Sequence, residues 1–216
     1  MPAKHSLKTY LENGFYHIYN RGVDKRTIFK DQQDYGTFLG YLKELLSPPT
    51  SKPYFRKITV NNKAYEIKDY CCKNCHQTIS LLAYCLMPNH FHLLINQSQP
   101  RAIEDFMKSL GTRYTMYFNK RYQRSGRLFQ GVYQAVLIEN EPQLLHTSRY
   151  IHLNPLSNKS LLNQPSSYSD YLRLKNTSWL KPEKVLECFK SAKAYQQFIQ
   201  DQLQPTGSIL ENLTLD

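Results

Sequence analysis

Two histidines one residue apart, His90 and His92 in Asn89-His90-Phe91-His92-Leu93-Leu94, carry the first chemistry legible in this sequence. In a strand, side chains two apart project from the same face. The two imidazoles then converge on one side, while Phe91 and Leu93 turn into a core on the other. Paired neutral imidazole nitrogens form half a site for a divalent metal. Two half-buried histidines satisfied by hydrogen bonds would give the same pattern, so the pair needs a nucleophile and a further ligand beside it. Arg149-Tyr150-Ile151-His152-Leu153-Asn154-Pro155 supplies both. In the last turn of a helix, Tyr150 and Asn154 are four apart and share a face. Asn offers a neutral oxygen suited to a hard cation such as Mg²⁺, and a phenol is a covalent nucleophile once deprotonated or polarised. The chain has 17 tyrosines, most of which must pack. His152, at i+2, points away from Tyr150.

A second cluster, Cys71-Cys72-Lys73-Asn74-Cys75-His76, contains a literal Cys-x-x-Cys-His. A structural zinc would draw on Cys71, Cys72, Cys75 and His76. Zinc usually takes two separated ligand pairs and no second pair is evident, so the expectation is an exposed turn. Cys85 and Cys188 read as small apolar residues.

These groups need a scaffold. Phe15 to Tyr19 reads as a strand closing in the turn Asn20-Arg21-Gly22. Asp31 to Leu46 has helical apolar spacing, with Asp31 or Asp34 near its start as a cap. Residues 50–77 are polar and basic, with weak strand signals at Ile58–Val60 and Ala64–Ile67. Ile79–Cys85 and Phe91–Ile95 form a strand pair split by Met87-Pro88-Asn89. Ile103–Tyr122 is a basic helix, Leu128–Ile138 a strand, and Glu141–Leu153 a helix stopped at Asn154-Pro155. After a loop-rich stretch, Pro182–Leu203 reads as one helix. This alternation predicts an α+β fold with a central, mainly antiparallel sheet flanked by helices and a C-terminal helical extension.

The totals limit the function classes. The 216 residues suffice for one domain with a core or one domain plus an appendage. With 28 Lys+Arg against 17 Asp+Glu, the formal charge is +11, which favours a polyanionic partner. No run approaches a membrane span, and Met1–Gly14 lacks the apolar core of a signal peptide. The expected setting is therefore the cytoplasm. Lys108, Arg113, Lys120 and Arg121 on the basic helix, with Tyr114, Tyr117 and Tyr122 interleaved, are candidate contacts to phosphates and unpaired bases; core aromatics under a solvated charged face would give the same pattern. Arg21, Arg124 and Arg127 complete the candidate DNA contacts.

Taken together, Asn20-Arg21-Gly22, then Met87-Pro88-Asn89-His90-Phe91-His92-Leu93-Leu94, then Gly126-Arg127-Leu128-Phe129-Gln130-Gly131, then Arg149 to Pro155 resemble the HUH single-tyrosine transposases. Ser166-Ser167-Tyr168, Tyr171 and Trp179 extend the likeness towards the REP-associated tyrosine transposases, over nearly the whole chain. The resemblance implies a ferredoxin/RRM-like HUH fold. It places the metal ligands at His90, His92 and Asn154, with Mg²⁺ or Mn²⁺ bound, and the catalytic tyrosine at Tyr150. It implies cleavage and rejoining of single-stranded DNA near hairpins through a 5′-phosphotyrosine, by a monomer or homodimer. It also implies an HUH catalytic domain over 1–155, with 50–77 inserted, and an extension over 156–216 packing on it. The chain departs from the family at Val132 and Gln134, where members often carry basic residues, and at Leu156-Ser157-Asn158, where Ala-Gly is usual. The alternative is a catalytically inactive or domesticated DNA-hairpin-binding protein. A zinc-containing RNA-binding module is a third reading.

Overall fold

The computed structural model describes residues 10–49, 55–60, 63–68, 74–155 and 164–201. In chain order the elements are β1 (Phe15–Arg21), α1 (Gln32–Leu46), β2 (Phe55–Val60), β3 (Lys63–Lys68), β4 (Ile79–Met87), β5 (His90–Gln97), α2 (Ala102–Arg121), β6 (Gln134–Ile138), α3 (Glu141–Leu153), α4 (Tyr168–Tyr171), α5 (Glu183–Leu186) and α6 (Ala192–Gln200). Four strands form one antiparallel sheet in the order β4-β5-β1-β6. This is the expected α+β architecture. Among the described residues, β2 and β3 pair only with each other, in a separate two-stranded sheet, so that part of residues 50–77 stands outside the main sheet.

Both faces of the central strands are covered, which explains the near-continuous apolar runs of β4 and β5. On one face Tyr16, Ile18, Phe91, Leu93 and Ile95 pack with Phe38 and Leu42 of α1 and Phe106 and Leu110 of α2. On the other, Leu94, Cys85 and Met87 pack with Leu144 and Ile151 of α3 and with Tyr171, Val185, Tyr195 and Ile199 of the C-terminal helices. Alternation along β1 and β5 therefore sends Phe91 and Leu93 away from the histidines, as expected.

Residues Pro88 and Asn89 make the two-residue turn between β4 and β5, with Met87 opposite His90. The Pro88 carbonyl accepts from the amides of Ile28 (2.7 Å) and Phe29 (3.0 Å), and the Asn89 carbonyl from that of Gly22 (2.8 Å). The turn is thus fastened to the segment after β1. A side chain at Gly22 would run into the Arg26 carbonyl oxygen, so the Asn20-Arg21-Gly22 turn requires glycine there.

Asp31 is the N-cap of α1, accepting from the amides of Gln33 and Asp34. Asp34 is instead fully buried. It accepts from the Lys30 amide (2.8 Å), the Tyr117 hydroxyl (2.9 Å), the Tyr122 hydroxyl (2.8 Å) and Arg121 (2.6 Å). This cluster ties α2 to α1.

Three expectations need correction. The Leu128–Ile138 strand is regular only over Gln134–Ile138. Before it, Leu128 is buried and Phe129 bridges Gly22, while Gln130 donates its amide to the Arg21 carbonyl (2.8 Å); exposed Gly131 and Val132 then leave the sheet. The Pro182–Leu203 helix is two helices, because Ser191 caps a new start by accepting from the Ala194 amide. That break lets Val185 and Tyr195 reach the same core cluster; Leu203 lies outside the described residues. The loop-rich stretch also contains a helical turn, α4. No helix among the described residues is long and apolar enough to cross a membrane.

Candidate active site

The histidines lie on β5, one of the two central strands. His92 pairs with Tyr19 of β1, and His17 of β1 pairs with Leu94. His17 and His92 are therefore diagonal neighbours on one face, with His17 Nε2 2.9 Å from His92 Nδ1. The rings of His90 and His92 are 5.0 Å apart, centre to centre. His90 Nδ1 lies 2.6 Å from Asn89 Oδ1.

Tyr150 comes from α3, which packs over this face. Its ring stands edge-on to His92 at 5.3 Å and to His17 at 5.8 Å. Asn154 is the C-cap residue of α3, still in helical geometry. Its Nδ2 donates to the Tyr150 carbonyl (3.0 Å), and its amide influences the titration of both the Tyr150 phenol and the His90 ring. The four candidates expected from sequence thus meet at one place, with Asn154 bridging the helix and the strand.

Burial dominates the electrostatics. It pushes the Tyr150 phenol above its ordinary range, and the Asn154 hydrogen bond is the one influence pulling it down. Burial likewise lowers His90 to about 4, against an opposing effect of the neighbouring Asn154 amide and with help from the Arg21 charge. His17 falls to about 4 by burial, and His92 lies well below its ordinary value through burial and the charges of His17 and His90. All three imidazoles are therefore neutral at neutral pH, the form that binds a metal.

Among the described residues, no three His, Cys, Asp or Glu side chains converge as a metal-holding group. The donor set suggested by sequence is two histidines and an asparagine. One observation tests its fit: His92 Nε2 is buried with no hydrogen-bond partner among the described residues. An unsatisfied buried polar atom costs about 1–3 kcal/mol. A cation at that atom would remove this penalty, and the neutral imidazoles with an amide oxygen suit a divalent ion that keeps water or phosphate ligands. The residues fit the group.

His152 faces away from Tyr150, as expected. It is fully buried, with Nδ1 2.7 Å from the Tyr195 hydroxyl and Nε2 2.8 Å from Ser167 Oγ.

The basic candidates divide by place. Arg21, opposite His90 in the register, reaches Gln130 Oε1 through Nε and one terminal nitrogen, each at 3.2 Å. Lys108 and Arg127 line a groove of about 1040 Å³ with Asn20, Phe129, Val132 and Tyr133, between α2 and the segment preceding β6. Arg124 is engaged with Asn119 and the Arg127 carbonyl, and Lys120 is exposed. Arg113 pairs with Glu44 and stacks on Tyr41 at 4.1 Å, and Arg121 pairs with Asp31 and Asp34. Tyr114 is core and donates to the Ile28 carbonyl (2.6 Å). With the Tyr117 and Tyr122 hydroxyls on Asp34, these three rings take the structural role of the two readings open from sequence.

Cys71 and Cys72 lie outside the described residues. Cys75 is buried in the same cluster as Leu45 and Ile79, not in an exposed turn. His76 Nδ1 is 3.1 Å from Asn74 Oδ1.

Sequence reasoning missed His17 and Tyr19, whose rings lie 5.1 and 5.8 Å from His92. A signal existed: His17, Tyr19 and Arg21 alternate along β1 and so share a face. Only the register with β5 turns that alternation into a site.

An antiparallel sheet with a paired-histidine strand, crossed by a helix carrying Tyr and Asn one turn apart, defines a single-tyrosine HUH architecture. Residues 15–154 match the family described as "Transposase IS200 like". The chain belongs to that family, and its class is that of transposases, enzymes that process DNA. Its fold resembles a REP-associated tyrosine transposase bound to a REP hairpin (12% identity, TM-score 0.50, 82% of this chain and 97% of that one). A protein put forward as a transposase, from Deinococcus radiodurans R1, aligns over 70% of this chain and 96% of its own at 16% identity and TM-score 0.38. No curated protein sequence matches the chain.

Proposed function

We propose that this chain cleaves and rejoins single-stranded DNA beside hairpins through a 5′-phosphotyrosine at Tyr150. The observation supporting this reading is the phenol of Tyr150 set edge-on against a histidine whose remaining nitrogen has no hydrogen-bond partner among the described residues, with Asn154 one helical turn beyond Tyr150. The REP-associated relative is bound to a REP hairpin. That, with a formal charge of +11, makes hairpin-forming single-stranded DNA the proposed substrate.

His90, His92 and Asn154 would hold Mg²⁺ or Mn²⁺, and the bound ion supplies charge neutralisation at the non-bridging phosphate oxygens. Tyr150 Oη, on losing its proton, forms a bond to phosphorus. The bond from phosphorus to the 3′-oxygen breaks, and that oxygen leaves as a 3′-hydroxyl after taking a proton. The phosphotyrosine retains the ester, so attack by another 3′-hydroxyl releases Tyr150 and joins strands without an external energy source. Asn154 orients the phenol and favours its deprotonation against the effect of burial. The packing of α3 excludes bulk water from His92.

Residues 1–155 form the catalytic unit in this proposal, and the extension clamps α3 onto its own sheet, so a monomer suffices. Arg21, Lys108, Lys120, Arg124 and Arg127 contact phosphates; Arg113 and Arg121 contribute less, their charges being shared with α1. Val132, 73% exposed on the groove, leaves an apolar spot on that track.

The test is incubation with a labelled single-stranded hairpin in Mg²⁺ or Mn²⁺, followed by denaturing electrophoresis. A denaturation-resistant protein–DNA adduct supports the reading. Hairpin binding with neither cleavage nor adduct would identify the inactive, DNA-binding alternative instead.

A further inference from the structure

We propose that His17 and Asn89 are positioning residues that set the tautomers of His92 and His90, keeping the ring hydrogen of each on Nδ1 and leaving each Nε2 as an electron-pair donor. The inference rests on the metal-site reading above and extends it to two residues outside the ligand set.

The case for Asn89 is geometric. Its Nδ2 donates to the Lys25 carbonyl (3.4 Å), which fixes the orientation of the amide. Oδ1 therefore faces His90 Nδ1 at 2.6 Å. An amide oxygen only accepts, so Nδ1 of His90 carries the hydrogen. Nε2 of the same ring is then unprotonated in the neutral form.

At His92 the partner is another imidazole, and one hydrogen lies between His92 Nδ1 and His17 Nε2. Were it on His17, Nε2 of His92 would be a buried N–H with no acceptor. With the hydrogen on His92, Nε2 presents a lone pair that a cation can use. Only the second arrangement gives the orphaned atom a function, and it makes the two site histidines alike. The devices reach the site from different parts of the chain. Asn89 precedes His90 in the β4–β5 turn, whereas His17 arrives through the β1–β5 register. A hydrogen-bond partner on the far ring nitrogen is the usual way a metal-ligating histidine is oriented.

The test has two arms on the full chain. Long-range ¹H–¹⁵N spectra of metal-free, histidine-labelled protein, assigned with His90→Gln and His92→Gln, should show protonated Nδ1 and bare Nε2 at both positions. A protonated Nε2 at either would overturn the proposal for that residue, whatever the variants do. Mn²⁺ binding, followed by electron paramagnetic resonance, should weaken 10–100-fold in His17→Phe and Asn89→Ala. His17→Gln and Asn89→Asp, which restore an accepting oxygen, should recover most of it. Equal binding in His17→Phe, Asn89→Ala and wild type would overturn the inference while leaving the metal site standing. Equal Mn²⁺ binding by wild type, His90→Ala and His92→Ala would instead defeat the metal-site reading itself. If a variant fails to fold, the spectra of the unaltered chain decide.

Discussion

The Nδ1 atom of His152 lies 2.7 Å from the hydroxyl of Tyr195, joining the helix that bears Tyr150 to the last described helix of the chain. The other ring nitrogen holds Ser167, whose Oγ also accepts from the Tyr84 amide of β4 (2.9 Å). One buried imidazole thus links α3, α4's cap, α6 and the sheet edge. His152→Ala should destabilise the protein by about 3 kcal/mol, through a cavity and stranded polar partners. Urea unfolding would measure this, and a loss under about 0.5 kcal/mol would show the latch to be dispensable.

Under the proposed function, the same latch keeps the active site within one chain. A mixture of Tyr150→Phe with the double variant His90→Ala/His92→Ala should form no covalent adduct, since neither chain holds a complete site. Adduct formation at a level comparable to wild type would show that α3 is exchanged between chains.

Acid should destabilise the metal-free protein. His17 and His90 titrate near 4 and His152 near 3 in the folded chain, against an ordinary value of 6.5, chiefly because burial disfavours the charged ring. Below pH 6.5 the unfolded chain binds protons that the folded chain does not. Stability therefore falls as pH drops from 6.5 towards 4, by up to about 1.4 kcal/mol per pH unit for each such histidine. Urea midpoints across this range should decline steeply, and His152→Gln should have a shallower slope. A flat profile would contradict the burial of these rings as neutral groups.

Asp34 offers a test of the scaffold separate from catalysis. Its carboxylate is fully buried and engages Lys30, Tyr117, Arg121 and Tyr122. Asp34→Ala should cost about 3–5 kcal/mol, as expected when one partner of a buried ion pair is removed. Thermal or urea unfolding measures this directly; a change within 0.5 kcal/mol would mean that α2 does not depend on the cluster.

Lys108 and Arg127 should behave as phosphate contacts. Replacing either with Ala should weaken single-stranded DNA binding and reduce the slope of log K against log salt by about 0.7. Arg113→Ala should change stability more than this slope. Unaltered slopes for Lys108→Ala and Arg127→Ala would remove the groove from the DNA path.

Much of the site was legible because its parts are local patterns. His90 and His92 share a strand face by spacing alone, and Tyr150 and Asn154 share a helix face by theirs. The α+β sheet was legible from alternating apolar runs. What could not be read was non-local. His17 gains its role from a residue 75 positions away, through strand register. Spacing alone left Tyr114, Tyr117 and Tyr122 open between core and stacking roles, because Asp34, which binds two of their hydroxyls, looked like a helix cap. The C-terminal helix was read as continuous because its apolar spacing continues through Ser191, and only tertiary docking shows where it must break.

The most direct test of the account is the site of covalent attachment. Two phenols face His92, Tyr150 at 5.3 Å and Tyr19 at 5.8 Å between ring centres. After reaction with a single-stranded hairpin, nuclease and protease digestion followed by mass spectrometry should find a nucleotide joined through its 5′-phosphate to the peptide containing Tyr150. Tyr19→Phe should keep the adduct and Tyr150→Phe should lose it. Attachment at Tyr19, or cleavage that persists in Tyr150→Phe, would contradict the account.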